Sequence, residues 1–212
     1  DFPLMYALNR AFNEEDGWDR GTSALYETLA QDYLYSDPMN LVVMTDNHDG
    51  DRFYTKMQED IQNFKLGMAF IMTIRGIPQI YYGGEVLMTG KEHDGHGYIR
   101  EDFPGGWDGD KVNVFENRNL TDEQKEALDF TRRLLNWRKT NSAVQIGNFT
   151  HYIPENGVYV YFRHTDKDAV MIMLNNTKED QYVDLSRFAE ILNGYTSGTS
   201  VLTRTYFDQL TE

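Results

Sequence analysis

Residues 41–45, Leu-Val-Val-Met-Thr, form a continuous apolar run, and polar Asp46-Asn47-His48-Asp49-Gly50 follows at once. A run without polar alternation predicts a strand buried on both faces, as in a parallel sheet. Downstream, Met57, Ile61, Phe64, Met68 and Ile71 step by three or four, which predicts one helix over about Thr55 to Ile74. Gly76 and Pro78 break it, and Gln79-Ile80-Tyr81-Tyr82 reads as a second short strand, stopped by Gly83-Gly84. Strand, helix and strand in that order form a βαβ unit, so the two strands are expected to lie parallel.

The flanking segments extend this reading. Phe2, Leu4, Met5, Leu8 and Phe12 mark one helix face, and Thr22 or Ser23 is placed to cap a second helix bearing Leu25, Leu29 and Tyr33. Pro38 is expected to close that helix. Residues 86–119 are rich in Gly, Asp, Asn and His and read as a long loop, a feature that is usually functional. Thr121-Asp122-Glu123-Gln124 matches a capping box for a helix carrying Ala127, Leu128, Thr131, Leu134, Leu135 and Arg138 on one side. Beyond Asn141 the pattern turns β-rich, with strands expected at Val158–Phe162, Ala169–Leu174 and Gln181–Leu185. The expected fold class is therefore α/β plus all-β, with an α/β part over 1–142 and an antiparallel part over 143–212.

Composition narrows the function classes. The 212 residues carry 20 Lys and Arg against 34 Asp and Glu, a formal charge of −14. That balance argues against a nucleic-acid partner, which needs clustered cations, and against an anionic membrane surface. No cysteine occurs, which removes thiol nucleophiles and thiolate metal sites. Aromatic residues make up 14% of the chain, suited to a core, an interface or the flat face of a sugar ring.

The sharpest local signal is Asp46-Asn47-His48-Asp49 at the C-terminal end of the first buried strand. Parallel α/β folds bind ligands at that end. The same residues also suit a cap for the helix that follows, and the pattern alone leaves both roles open. His93-Asp94-Gly95-His96 lacks a third ligand, and Asp108-Gly109-Asp110 is too short for a calcium loop, so neither predicts a metal.

Val42-Val43-Met44-Thr45-Asp46-Asn47-His48-Asp49 resembles the fourth sequence region of the α-amylase family of glycoside hydrolases. Gly76-Ile77-Pro78-Gln79-Ile80-Tyr81-Tyr82-Gly83-Gly84-Glu85 resembles the eighth barrel strand of that family and its turn, with Gly84 where the family usually has Asp. The stretch from Gly97 to Trp107 is similar to a loop of the cyclomaltodextrinase and neopullulanase branch. Phe2-Pro3-Leu4 resembles the end of the sixth strand, and the β-rich tail resembles the small β-sandwich after the barrel. The resemblance implies the C-terminal portion of a (β/α)8 TIM barrel, about strands six to eight, then a truncated β-sandwich that lacks a closing strand after Leu202–Gln209.

The resemblance also implies roles. Asp49 matches the carboxylate that holds sugar hydroxyls and stabilises a cationic transition state, and His48 matches the histidine bonded to the same sugar. Arg52 is expected to hold Asp49 or a sugar, with a plain surface position as the alternative, and Trp107 to stack on a sugar ring. Asp46 and Asn47 are expected to support the site from behind. A retaining glycosidase needs a nucleophile and an acid ~5–5.5 Å apart, and in the family these follow earlier strands that this chain lacks. The expectation is therefore a piece of a retaining α-glucan hydrolase, inactive alone, with malto-oligosaccharide, pullulan or cyclodextrin as substrate. Its other expected partners are the N-terminal half of the same enzyme and a second copy. The alternative is a glucan-binding or interaction module without catalysis. No cofactor is expected from this chain, and calcium is left to the remainder of the enzyme. A periplasmic or secreted bacterial location fits the resemblance only.

Overall fold

The computed structural model describes residues 1–208 and 210. The first helix, α1 (Phe2–Asn13), opens with Asp1 as its cap, whose side chain accepts from Leu4 N, and with Pro3 in its first turn. Both are helix-start signals, so Phe2-Pro3-Leu4 begins a helix and is not the strand end that the resemblance implied. Leu4, Met5, Leu8 and Phe12 are buried as expected, whereas Phe2 is exposed. Helix α2 (Thr22–Leu29) is capped neither by Thr22 nor by Ser23. Gly21 takes the cap position, and Asp16 Oδ1 accepts from Thr22 N at 2.9 Å. The helix stops at Leu29, which leaves Tyr33 exposed.

Strand β1 (Val42–Met44) precedes helices α3 (Phe53–Lys56) and α4 (Ile61–Thr73) and then strand β2 (Ile77–Gln79). β1 and β2 pair in parallel, with Val43 opposite Pro78, so the βαβ unit is present. Three details differ from expectation. The crossover is two helices, because Gln58 and Glu59 adopt left-handed φ of 57° and 58°, and Asp60 then caps α4 by accepting from Gln62 N and Asn63 N. Ile80, Tyr81 and Tyr82 run beyond the paired strand. Val42 is exposed, so β1 is not buried on both faces. The close approach of α3 to α4 depends on Gly67, where a Cβ would lie 2.2 Å from Phe53 Cζ.

Residues 86–119 contain the short helix α5 (His96–Ile99). In α6 (Asp122–Arg138) both bonds of the capping box form. Its buried stripe includes Phe130, which the expected stripe omitted. After α7 (Ser142–Ile146) come β3 (Asn148–His151), β4 (Val158–His164) and β5 (Ala169–Asn175), an antiparallel sheet ordered β3-β4-β5. The third strand is thus Asn148–His151 and not Gln181–Leu185. Asp184 Oδ1 accepts from Ser186 N at 2.9 Å and starts a 3-10 turn that leads into α8 (Ala189–Leu192). Strand β6 (Gly198–Thr199) pairs with β7 (Tyr206–Phe207), and Gln209, where a closing strand was expected to approach, lies outside the described residues.

The sheet and the helices share one core. Leu8, Leu25, Phe64, Phe70 and Leu134 cluster with Tyr159, Tyr161 and Leu174 of the sheet, while Val160, Phe162, Phe188 and Leu192 pack on its other face. Two arginines bind the end of α4 to its neighbours. Buried Arg163 donates to the carbonyls of Thr73, Ile74 and Gly147, and Arg138 donates to those of Met72, Val144 and Gly76. Cations at a helix C-terminus satisfy its orphan carbonyls and oppose its dipole. Burial, and then the charge of Arg138, lower the Arg163 pKa to about 10.

Two outcomes are expected. Replacing Arg163 by Met in the full-length gene product strands three buried carbonyls and should cost about 1–3 kcal/mol, seen as a lower urea midpoint; an unchanged midpoint rejects the clamp. The 212 residues expressed alone should self-associate, because Phe2, Tyr6, Val42 and Ile77 are exposed and large apolar surfaces and open strand edges drive association. Sedimentation at several concentrations reports this, and a monomer at all of them contradicts it.

Candidate active site

The turn after β1 divides its polar residues between two jobs. Asp46 is 1% exposed and accepts from Thr45 Oγ1 at 2.9 Å and from Phe53 N at 2.8 Å. It therefore ties the turn to the first residue of α3. Burial raises its pKa, and the bonds from Phe53 and Thr45 offset part of that rise. Asn47 Oδ1 accepts from Asp49 N at 2.8 Å, an Asx turn that bends the chain outward. His48 and Asp49 are left with side chains 62% exposed, and His48 Nε2 lies 3.3 Å from Asp49 Oδ2. The residues thus separate in space: Asp46 anchors the helix, and His48 and Asp49 face outward beyond the strand.

Arg52 holds neither Asp49 nor a surface position. It is fully buried, its Cζ 4.1 Å from the Tyr81 ring centroid and 4.8 Å from that of Tyr82. Its Nη1 donates to the Tyr82 carbonyl at 2.5 Å. Two ring faces and a carbonyl draw the guanidinium inward, away from solvent. The tyrosines in turn fix the loop around α5, since Tyr81 Oη donates to the Ile99 carbonyl at 3.3 Å and Tyr82 Oη to that of Glu101 at 2.8 Å.

Between those two carbonyls sits Arg100. Its Nε donates to the His48 carbonyl at 2.8 Å, and its Nη2 lies 3.0 Å from Asp49 Oδ1 and 2.9 Å from His96 Nδ1. Arg100 and His96 were not among the expected site residues. Arg100 lies inside the Gly97–Trp107 stretch, but nothing in linear order pairs it with Asp49. Trp107 is exposed in a separate turn, where Asp110 Oδ2 accepts from Gly105 N and Trp107 N. Among the described residues no hydrogen bond or ring contact joins Trp107 to His48 or Asp49. His93 pairs with Asp94 at 3.0 Å, and the described residues contain no group of three or more potential metal ligands.

Residues 1–172 match the family model of the alpha amylase catalytic domain. The chain belongs to the alpha-amylase family. Residues 149–212 match the model of the cyclo-malto-dextrinase C-terminal domain. The cyclomaltodextrin glucanotransferase of Thermoanaerobacterium thermosulfurigenes is 26% identical over 209 residues, which cover 95% of this chain and 26% of that protein. An alpha-amylase from Geobacillus thermoleovorans, solved in complex with acarbose, superposes with a TM-score of 0.72 at 25% identity, covering all of this chain and 46% of the other. A solved cyclomaltodextrinase gives a TM-score of 0.64 at 22% identity over 84% of this chain and 28% of its own, a likeness of fold. The chain spans about a quarter of the length of the curated relatives it matches. In this alpha-amylase family member the fold class is as expected: a C-terminal portion of the TIM-barrel catalytic domain followed by an antiparallel β domain.

Asp46 also makes a pH signature. Burial raises its folded pKa above the ordinary carboxylate value, so between those two values the native state holds a proton that the unfolded state has lost. Its stabilising contribution is complete below the unfolded pKa and falls as pH rises through the folded one. Asp46→Asn, which keeps the shape and both partners, should flatten that acid-side slope in denaturant titrations. An unaltered slope would show that Asp46 is not its source.

Proposed function

We propose that this chain is the C-terminal part of a retaining α-glucan hydrolase acting on malto-oligosaccharides, pullulan or cyclodextrins. In this reading residues 1–142 complete the catalytic barrel and residues 143–212 form the following β domain. The observation that carries it is the outward pair His48 and Asp49, presented at the C-terminal end of a parallel strand by an Asx turn and a buried Asp46. Asp49 supplies a fixed negative charge to an oxocarbenium-like transition state and accepts from sugar hydroxyls, bonds that strengthen as the charge develops. His48 binds the same sugar. Trp107 offers an exposed ring for stacking. Arg52 acts only from below, through Tyr81 and Tyr82.

The nucleophile and the acid come, in this proposal, from strands outside these 212 residues, and the same segment covers the exposed apolar edge of β1 and β2. That covering matters to the chemistry. A carboxylate as exposed as Asp49 is screened by water, and its charge acts strongly only once neighbouring strands and substrate exclude solvent.

The test uses the full-length gene product on maltotriose, pullulan and a cyclodextrin. Asp49→Asn should lower kcat ~10²–10³-fold with the fold intact, the usual cost of one transition-state electrostatic contact. A variant with wild-type kcat would leave the turn a structural feature alone.

A further inference from the structure

We propose that Arg100 is a positioning residue that aims Asp49 and His48, and that it does so only while His96 is neutral. The proposal rests on the reading of Asp49 as a site residue. Arg100 bonds the turn at two levels: Nε takes the main-chain carbonyl of His48 and Nη2 takes the side-chain Oδ1 of Asp49. A rigid planar fork that bridges backbone and side chain of adjacent residues fixes the carboxylate torsion as well as the turn. With Oδ1 so occupied, Oδ2 is the oxygen turned to His48 Nε2.

The fork is itself held. Tyr81 and Tyr82 bind the carbonyls on either side of Arg100, and both rings rest on buried Arg52. A continuous set of contacts thus runs from a buried cation to an exposed carboxylate.

His96 adds a condition. A guanidinium donates and never accepts, so the 2.9 Å contact requires His96 Nδ1 to be the acceptor, with its ring neutral and the proton on Nε2. Protonation turns Nδ1 into a donor facing a donor and sets a cation against a cation. His96 lies on α5, packed against the turn carrying Glu92, His93 and Asp94, and touches Arg100, which in turn bonds His48 and Asp49. The latch therefore closes only on the neutral ring.

The experiment measures kcat and KM across pH for the full-length gene product with Arg100→Ala, Arg100→Lys, His96→Asn, Asp49→Asn and the Arg100→Ala/Asp49→Asn double variant. Arg100→Ala should lower kcat about 10–100-fold, the scale of a misplaced site group, while KM moves less than about threefold. Arg100→Lys keeps the charge but cannot reach both oxygens, and should not restore the rate. His96→Asn keeps an acceptor that does not titrate and should remove one ionisation from the acid limb of kcat. In the Asp49→Asn background, loss of Arg100 should cost less than about twofold more, because it acts through Asp49. If Asp49→Asn is as active as wild type, the underlying site reading fails and this proposal with it. If Asp49→Asn is inactive while Arg100→Ala or Arg100→Lys keeps full kcat, only the positioning role is overturned. A rise in KM alone, or additive losses in the double variant, would assign Arg100 to the sugar and also overturn it.

Discussion

The joint between α4 and β2 sets the geometry of everything around it. A helix that ends inside a protein must place its last carbonyls somewhere, and here Arg138 and Arg163 take those of Met72, Thr73, Ile74 and Gly76 from two directions. Arg138 comes from α6 and Arg163 from β4, so it is Arg163 that ties the end of α4 to the antiparallel sheet. The backbone then passes Gly76 at φ 95°, where a Cβ would lie 2.5 Å from the Leu41 carbonyl. Only glycine permits that approach, and it delivers β2 alongside β1 in parallel register.

That register places the two turns that follow the strands side by side. The chain leaving β1 carries Asp46 to Asp49, and the chain leaving β2 carries Tyr81 and Tyr82. Arg52 stacks beneath the tyrosines from the first turn, and the tyrosines hold the loop whose Arg100 returns to the first turn. The two turns are thus closed into one unit by side chains that run from buried Arg52 to exposed Arg100 and Asp49. Removing any single member loosens a constellation, a reason that such networks resist pairwise accounting.

Much of this was legible in the amino-acid order. The unalternating run at 41–45, the breaks at Gly76 and Pro78, and the capping box at Thr121 and Gln124 state local preferences strongly enough to survive folding. Predicted boundaries slipped where a local cue was weaker than a tertiary one. Gln58 and Glu59 carry no sequence mark of a left-handed turn, yet the crossover breaks there and α3 packs Phe53 over Gly67 of α4. Gln181–Leu185 alternates like a strand, but Asp184 captures the amide of Ser186 first. Asn148–His151 pairs only because β4 offers it an edge.

By itself, then, the sequence determined the parallel βαβ unit, the β-rich tail and the polar turn at Asp46–Asp49. Periodicity and capping are short-range properties, carried by residues a few positions apart. Only the tertiary structure decided that Arg52 is buried and that Arg100, distant along the chain, meets Asp49. A cation goes to whatever acceptor or ring the completed fold brings near it, and burial removes the solvent that would otherwise make those choices equivalent.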